Sequence, residues 1–203
     1  VFDSAVNTAG FVSFIATDNY EAGCTAARTL AGLLNGSGSV GMVMHKPGGT
    51  STVQREQGFA ATMKREFPGV QIVARQFGMA DEARALAAAE NMLTAHPKLS
   101  GIFASSEASS IGSIQALRGR RLAGQVRLVT FDTSKTHVEA LQDGMIDVML
   151  VQDAFRIGYE SVRALAEKLR GATPVPRMDL PARAVVKADL AKPEIRALLA
   201  GQG

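Results

Sequence analysis

Short β-rich apolar runs alternate with longer helical stretches along nearly the whole sequence, and this alternation restricts the fold more than any other feature. Residues 11–16 (FVSFIA) read as a strand, Asp18 caps a helix to about residue 34, and NGSGS at 35–39 stops it. A buried strand at 40–44 (VGMVM) leads through the loop 46–50 (KPGGT) to a helix capped by Ser51 or Thr52 and ending near residue 67. The unit then repeats, with strands at 70–74, 101–104, 126–131 and 147–151. Helices at 81–95, 108–117, 135–143 and 155–169 follow those strands in turn, His96-Pro97 ending the first of them. The apolar positions Ile157, Val162, Leu165, Ala166 and Leu169 make one face of the last, and Gly171 closes it. Pro174, Pro176 and Pro181 mark the segment beyond, before a short strand at 184–186 and a helix from Pro193.

Parallel strands need a crossover, usually a helix, so strand–helix alternation predicts a parallel sheet covered on both faces. The strands are nearly continuous apolar runs, as burial on both faces requires. The expected class is therefore a doubly wound α/β fold, whose ligands lie outside the carboxyl ends of the strands. Those ends are residues 45–50, 76–80, 105–107, 132–134 and 152–153. They carry hydroxyls, amides, the carboxylate of Asp132 and, one turn into a helix, the guanidinium of Arg55. Donors and acceptors of this kind suit vicinal hydroxyls, which a carboxylate or guanidinium can bridge with charge-assisted bonds.

Other chemistries find less support. Lys and Arg are spread along the chain, net charge is +3, and the cluster Arg118, Arg120 and Arg121 falls at a helix end, so no nucleic-acid partner is expected. Cys24 is the one cysteine and reads as a small buried hydrophobe. His45, His96 and His137 lie far apart without metal-ligand spacing, so no metal and no cofactor are expected. His45 ends a strand on the binding edge and is the histidine placed for ligand contact. No GxSxG elbow occurs, and no base is evident near Ser106. KPGGTS lacks the phosphate-loop arrangement, while Glu56 and Glu107 read as solvated acids near helix N-termini. No apolar run reaches the roughly 18 residues that span a bilayer.

Six segments in register carry a family resemblance: FIATDNYEA (14–22), GTSTVQREQGF (49–59), ENMLTAHP (90–97), IFASSEASSIGSIQAL (102–117), LVTFDTS (128–134) and LQDGMIDVMLVQDAFRIGYESV (141–162). Together the chain resembles the type I periplasmic sugar-binding proteins of the ribose-binding group. The resemblance implies ligand contacts from Asp3, Arg55, Ser106, Phe131, Asp132 and Gln152, with Ser4, Met79 and Ala80 as secondary candidates beside the strand-end His45. Ser4 stands where ribose binders often have Arg, and Ser106 where Asn is usual. The aromatic ring often found near Met79-Ala80 is missing. These departures weaken the expectation of ribose itself and leave another pentose, a hexose or a polyol open.

The resemblance further implies a complete C-terminal lobe at 18–152, a remnant of the N-terminal lobe at 1–17, a return segment at 153–181, and a third hinge crossing within 182–203. Most of the N-terminal lobe is expected to lie outside this sequence, leaving the 155–169 helix face uncovered and open to a homodimer or to the missing lobe. The implied function is the solute-binding component of an ABC importer: exported to the periplasm, closing on a sugar by hinge motion, and docking on a membrane permease. No leader occurs in this sequence, which says nothing against export. One alternative is the ligand-sensing core of a lac-repressor-type regulator, which shares the fold and is marked by an upstream helix-turn-helix. Another is an enzyme on the same fold, disfavoured because no nucleophile–base or metal constellation stands out.

Overall fold

The computed structural model describes residues 1–8 and 10–201. Its strands are β1 (Phe14–Thr17), β2 (Gly38–Met44), β3 (Val70–Phe77), β4 (Gly101–Ala104), β5 (Arg127–Phe131), β6 (Val148–Val151), β7 (Arg177–Leu180) and β8 (Arg183–Val185). Its helices are α1 (Asn19–Leu33), α2 (Thr50–Glu66), α3 (Glu82–Ala95), α4 (Glu107–Arg120), α5 (Lys135–Gln142), α6 (Ala154–Leu169) and α7 (Pro193–Leu199), with a 3-10 turn at Lys187–Ala191.

Strand order in the larger sheet is β3-β2-β4-β5-β6-β8, and every pair is parallel except β6–β8. The antiparallel edge departs from the all-parallel expectation for a simple reason. β8 pairs with β6, but the chain enters it from β7 through only Pro181 and Ala182 rather than through a covering helix.

Alternating side chains build two cores. Val40, Met42, Phe103, Val129, Phe131, Val148 and Leu150 face Ala26, Leu30, Phe59 and Met63 of α1 and α2. Val43, Ile102, Leu128, Met149 and Val151 face α3, α4 and α5 on the other side, with Ile195 and Leu198 of α7. Both faces are thus covered by helices, as the unbroken apolar strands require.

Helices α1 and α2 meet at backbone distance. A Cβ on Gly23 would stand 2.0 Å from the carbonyl oxygen of Arg55, and one on Gly58 would stand 2.1 Å from that of Tyr20. Glycine at both positions therefore fixes the crossing and the place from which Arg55 projects. Buried Cys24 sits in the same contact, its Sγ 3.7 Å from the Gly58 carbonyl oxygen.

A second, two-stranded parallel sheet joins β1 to β7, and Phe2 bridges to Ile15 on the far side of β1. Helix α6 packs there through Ile157 and Ala164, against Ile15 and Leu180. The chain passes between the two sheets three times, at residues 17–18, 152–153 and 181–182.

Several boundaries differ from the sequence expectation. Residues 11–13 precede β1, because its pairing begins with Phe14 opposite Arg177. Strand β7 was not expected at all. Gly49, rather than Ser51 or Thr52, caps α2, and the Thr52 hydroxyl donates back to the Gly49 carbonyl. Strand β3 extends through Gln76 to Phe77, and α4 extends at both ends. On α6 only part of the apolar face departs from its expected uncovered state: Ile157 is buried, whereas Val162, Leu165 and Leu169 are 70%, 53% and 81% exposed.

Candidate ligand-binding site

Strand β2 pairs with β3 on one side and β4 on the other, so the topological switch lies between the carboxyl ends of β2 and β4. A crevice forms at such a point because successive connections leave in opposite directions. His45 follows β2 there, and Ser105 and Ser106 follow β4.

Arg55 crosses this crevice from α2 and is only 3% exposed. Its Nε donates to Asn19 Oδ1 at 2.8 Å, and Nη1 donates to the Ser105 carbonyl at 3.1 Å. The guanidinium carbon lies 3.6 Å from the ring centroid of Phe131, which has no exposed surface. Phe131 is therefore the platform under the guanidinium and offers no face of its own to a ligand. Burial draws Arg55 down from its ordinary value, while the charges of Asp132, Asp3 and Glu56 hold it up. Among the described residues Nη2 has no hydrogen-bond partner, which leaves two donors of the fork free.

Asp132 follows β5 in the left-handed region, at φ 71°, a conformation costly for a residue with a side chain. Its Oδ2 accepts the Glu107 N–H at 3.1 Å and stands 3.8 Å from Arg55 Nη1. Its Oδ1 accepts from Gln152 Nε2 at 2.5 Å, and Gln152 Oε1 accepts the Thr17 hydroxyl at 2.6 Å. One polar chain thus runs from Thr17 and Gln152, at two of the crossings, through Asp132 to Arg55.

On the other side of Arg55, the His45 Nδ1 and Ser106 Oγ are 3.0 Å apart. This corrects the expectation that Ser106 has no base nearby. The separation is that of a nucleophile and its base, but no carboxylate among the described residues orients the remaining ring nitrogen. Glu56 also departs from expectation. It is 8% exposed, not solvated, and its Oε1 accepts the Ser105 hydroxyl at 2.7 Å and the His45 N–H at 3.0 Å. Burial pushes its carboxyl above the usual range. Glu107 fits its expectation as the exposed first residue of α4.

The remaining candidates gather around this cluster. Asp3, at φ 62°, lines a groove of about 240 Å³ with Phe2, Gln152, Ala154 and Ile157. Ser4 Oγ meets Thr50 Oγ1 at 2.8 Å, tying the start of the chain to the N-terminus of α2. Met79 and Ala80 both have positive φ, and the Ala80 N–H donates to the His45 carbonyl at 3.1 Å. Asn19, Thr17, Ser105 and Glu56 belong to the cluster as well. Ser105 lies in the strand-end range 105–107, whereas sequence reading missed Asn19 and Thr17 and took Glu56 for a solvated acid, because each of these three meets its partner only after the crossings and helix contact form. His96 caps the C-terminus of α3, whereas His137 is fully buried on α5, close enough to Asp132 to feel its charge.

The pattern described as the periplasmic binding protein domain matches residues 1–173. The chain belongs to this family. In structure, the chain is similar to a carbohydrate transporter solute binding protein from Agrobacterium radiobacter, solved in complex with D-arabinose. The two share 30% identity with a TM-score of 0.93, over 98% of this chain and 69% of that one. A solute binding protein from Agrobacterium vitis, bound with α-D-tagatopyranose, is 27% identical with a TM-score of 0.92, over 98% of this chain and 70% of that one. In sequence, the chain is similar to the D-ribose/D-allose-binding protein of Pseudomonas aeruginosa, at 28% identity over 163 residues. That match covers 80% of this chain, which spans 50% of the relative's length.

Proposed function

We propose that this periplasmic binding protein domain serves as the solute-binding component of an ABC importer and takes a monosaccharide in the crevice at Arg55 and Asp132. The observation that carries the reading is the fixed polar chain Arg55–Asp132–Gln152–Thr17, with free guanidinium donors at one end and interlobe crossings at the other. Arg55 Nη2 and the Asp132 oxygens bridge neighbouring hydroxyls, Gln152 and Asp3 add acceptors, and the Phe131 ring supports one face of the guanidinium. Residues 18–152 form one lobe. Residues 1–17 and 153–181 belong to the other, and 182–203 return after the third crossing. A sugar that touches both sides binds the closed arrangement better and shifts the population towards it. The closed form then docks on a membrane permease at the periplasmic face. No turnover of the sugar is required.

The test is thermal and calorimetric titration with D-ribose, D-arabinose, D-tagatose and D-allose. A binder present at a hundred times its dissociation constant stabilises the folded chain by about 2.7 kcal/mol. Replacing the guanidinium, Arg55→Met, removes that shift. Stabilisation that survives Arg55→Met, or no stabilisation by any sugar in the set, refutes the reading.

A further inference from the structure

The Ser106 hydroxyl has no bonding capacity left for a ligand. Three protein groups surround its oxygen: the Ser109 N–H at 3.4 Å, the Ser109 hydroxyl at 3.0 Å and His45 Nδ1 at 3.0 Å. A hydroxyl offers one donor and two acceptor positions, so these neighbours saturate it. The direction of the relay follows from counting protons. Ser109 is 1% exposed, and Ser106 is the one acceptor its hydroxyl reaches among the described residues. If His45 donated to Ser106, Ser106 would donate to Ser109 and strand the buried Ser109 proton. Buried donors are rarely left unpaired, so the proton order runs the other way. The Ser109 O–H donates to Ser106, the Ser106 O–H donates to His45 Nδ1, and the neutral ring carries its proton on Nε2.

Among the described residues that nitrogen has no hydrogen-bond partner, and it is not sealed from solvent. The ring stands at the β2–β4 switch, fixed by its own backbone. Its N–H donates to Glu56 and its carbonyl accepts from Ala80. Resting on the reading of this crevice as a sugar site, we infer that His45, through its Nε2–H, is a specificity-determining ligand contact, taking over at the switch point the polar role that Ser106 has lost. The group it reads is a ligand oxygen that accepts, either a ring oxygen or a hydroxyl. Ser106 and Ser109 position the ring and do not touch the ligand. Burial keeps His45 below its ordinary value, with Lys46 and Arg55 adding to the effect and Asp132 opposing it, so the neutral ring this relay needs is the form present at neutral pH.

The experiment is a cycle between protein and ligand in the full chain. Wild type and His45→Phe are titrated with D-ribose, D-arabinose and D-tagatose, and then with the monodeoxy and carbocyclic analogues of the sugar that binds. Loss of one neutral hydrogen bond lowers affinity about fivefold. The expected result is a fivefold loss in His45→Phe for the parent sugar and for every analogue but one. The exception, lacking the oxygen that His45 reads, binds both proteins alike. A uniform loss across all analogues means a purely structural His45 and overturns the inference, as does no loss at all. Nitrogen-15 spectroscopy of the ligand-free chain tests the relay itself: Nδ1 unprotonated in wild type and altered in Ser106→Ala supports it, while a protonated Nδ1 overturns it. If no sugar binds wild type but Nδ1 is unprotonated, the sugar reading fails and the ligand contact falls with it, while the relay stands.

Discussion

Gly23→Ala isolates the contact that sets the position of Arg55. The new methyl would lie 2.0 Å from the Arg55 carbonyl oxygen, 2.8 Å from its carbon and 2.9 Å from the Phe59 nitrogen. Ordinary contact begins near 3.4 Å, so α1 and α2 must part by about 1.4 Å. Every obstacle is backbone, and none can rotate away. Overpacking of this kind costs about 3 kcal/mol, the upper end of the usual range. Alanine's better helix propensity returns about 1 kcal/mol, for a net loss of about 2 kcal/mol. Gly32 provides the control, because it lies in the same helix with nothing within 4 Å of its added Cβ. Gly32→Ala should gain up to about 1 kcal/mol. Urea denaturation should therefore place the two alanine variants about 3 kcal/mol apart, on opposite sides of wild type. Equal midpoints, or a Gly23→Ala protein more stable than wild type, would refute the argument that backbone proximity at this crossing is what requires glycine.

Three further expectations follow from buried and exposed side chains. Burial holds the His137 imidazole below its ordinary value, so its contribution to stability is present above the unfolded value near 6.5 and is lost as pH falls through the folded one. Between pH 6.5 and 5.5 the wild type should lose up to about 1 kcal/mol more than His137→Asn, and parallel pH profiles would contradict this. Glu56→Gln keeps an acceptor for Ser105 and His45 and should change stability by less than about 1 kcal/mol at pH 8, whereas Glu56→Ala strands both donors and should cost about 2–4 kcal/mol. Chemical denaturation separates those two, and equal costs would assign the loss to packing. Leu169→Lys, at a site 81% exposed, should shift stability by less than about 0.5 kcal/mol; a larger loss on dilution-independent unfolding would mean that the side chain packs within the chain.

Most of the larger sheet was legible because its strands are buried on both faces and so read as unbroken apolar runs between turn residues. Strand β7 was not, and its sequence explains why. RMDL alternates exposed and covered positions, carries two charges and lies between prolines. It is a strand because β1 needs a partner, a tertiary cause with no local signal. The same division holds at the site. Arg55, Asp132 and Gln152 follow from motif and strand-end position together. The burial of Glu56 does not, since nothing near it in sequence marks its helix face as the one that meets Ser105. Nor does the pairing of His45 with Ser106, 61 residues apart, which depends on β2 lying beside β4.

The polar chain across the crossings has a thermodynamic consequence for any ligand. Gln152 is held between Thr17 and Asp132, and Arg55 between Asn19, Ser105 and the face of Phe131. Long polar side chains lose about 0.5–1.5 kcal/mol of rotamer freedom each when an interface immobilises them. Here that ordering is completed as the chain folds. The crevice meets its ligand with rotamers already chosen, and changes at Thr17 or Asn19, which need never touch a sugar, would return that entropy to the binding step.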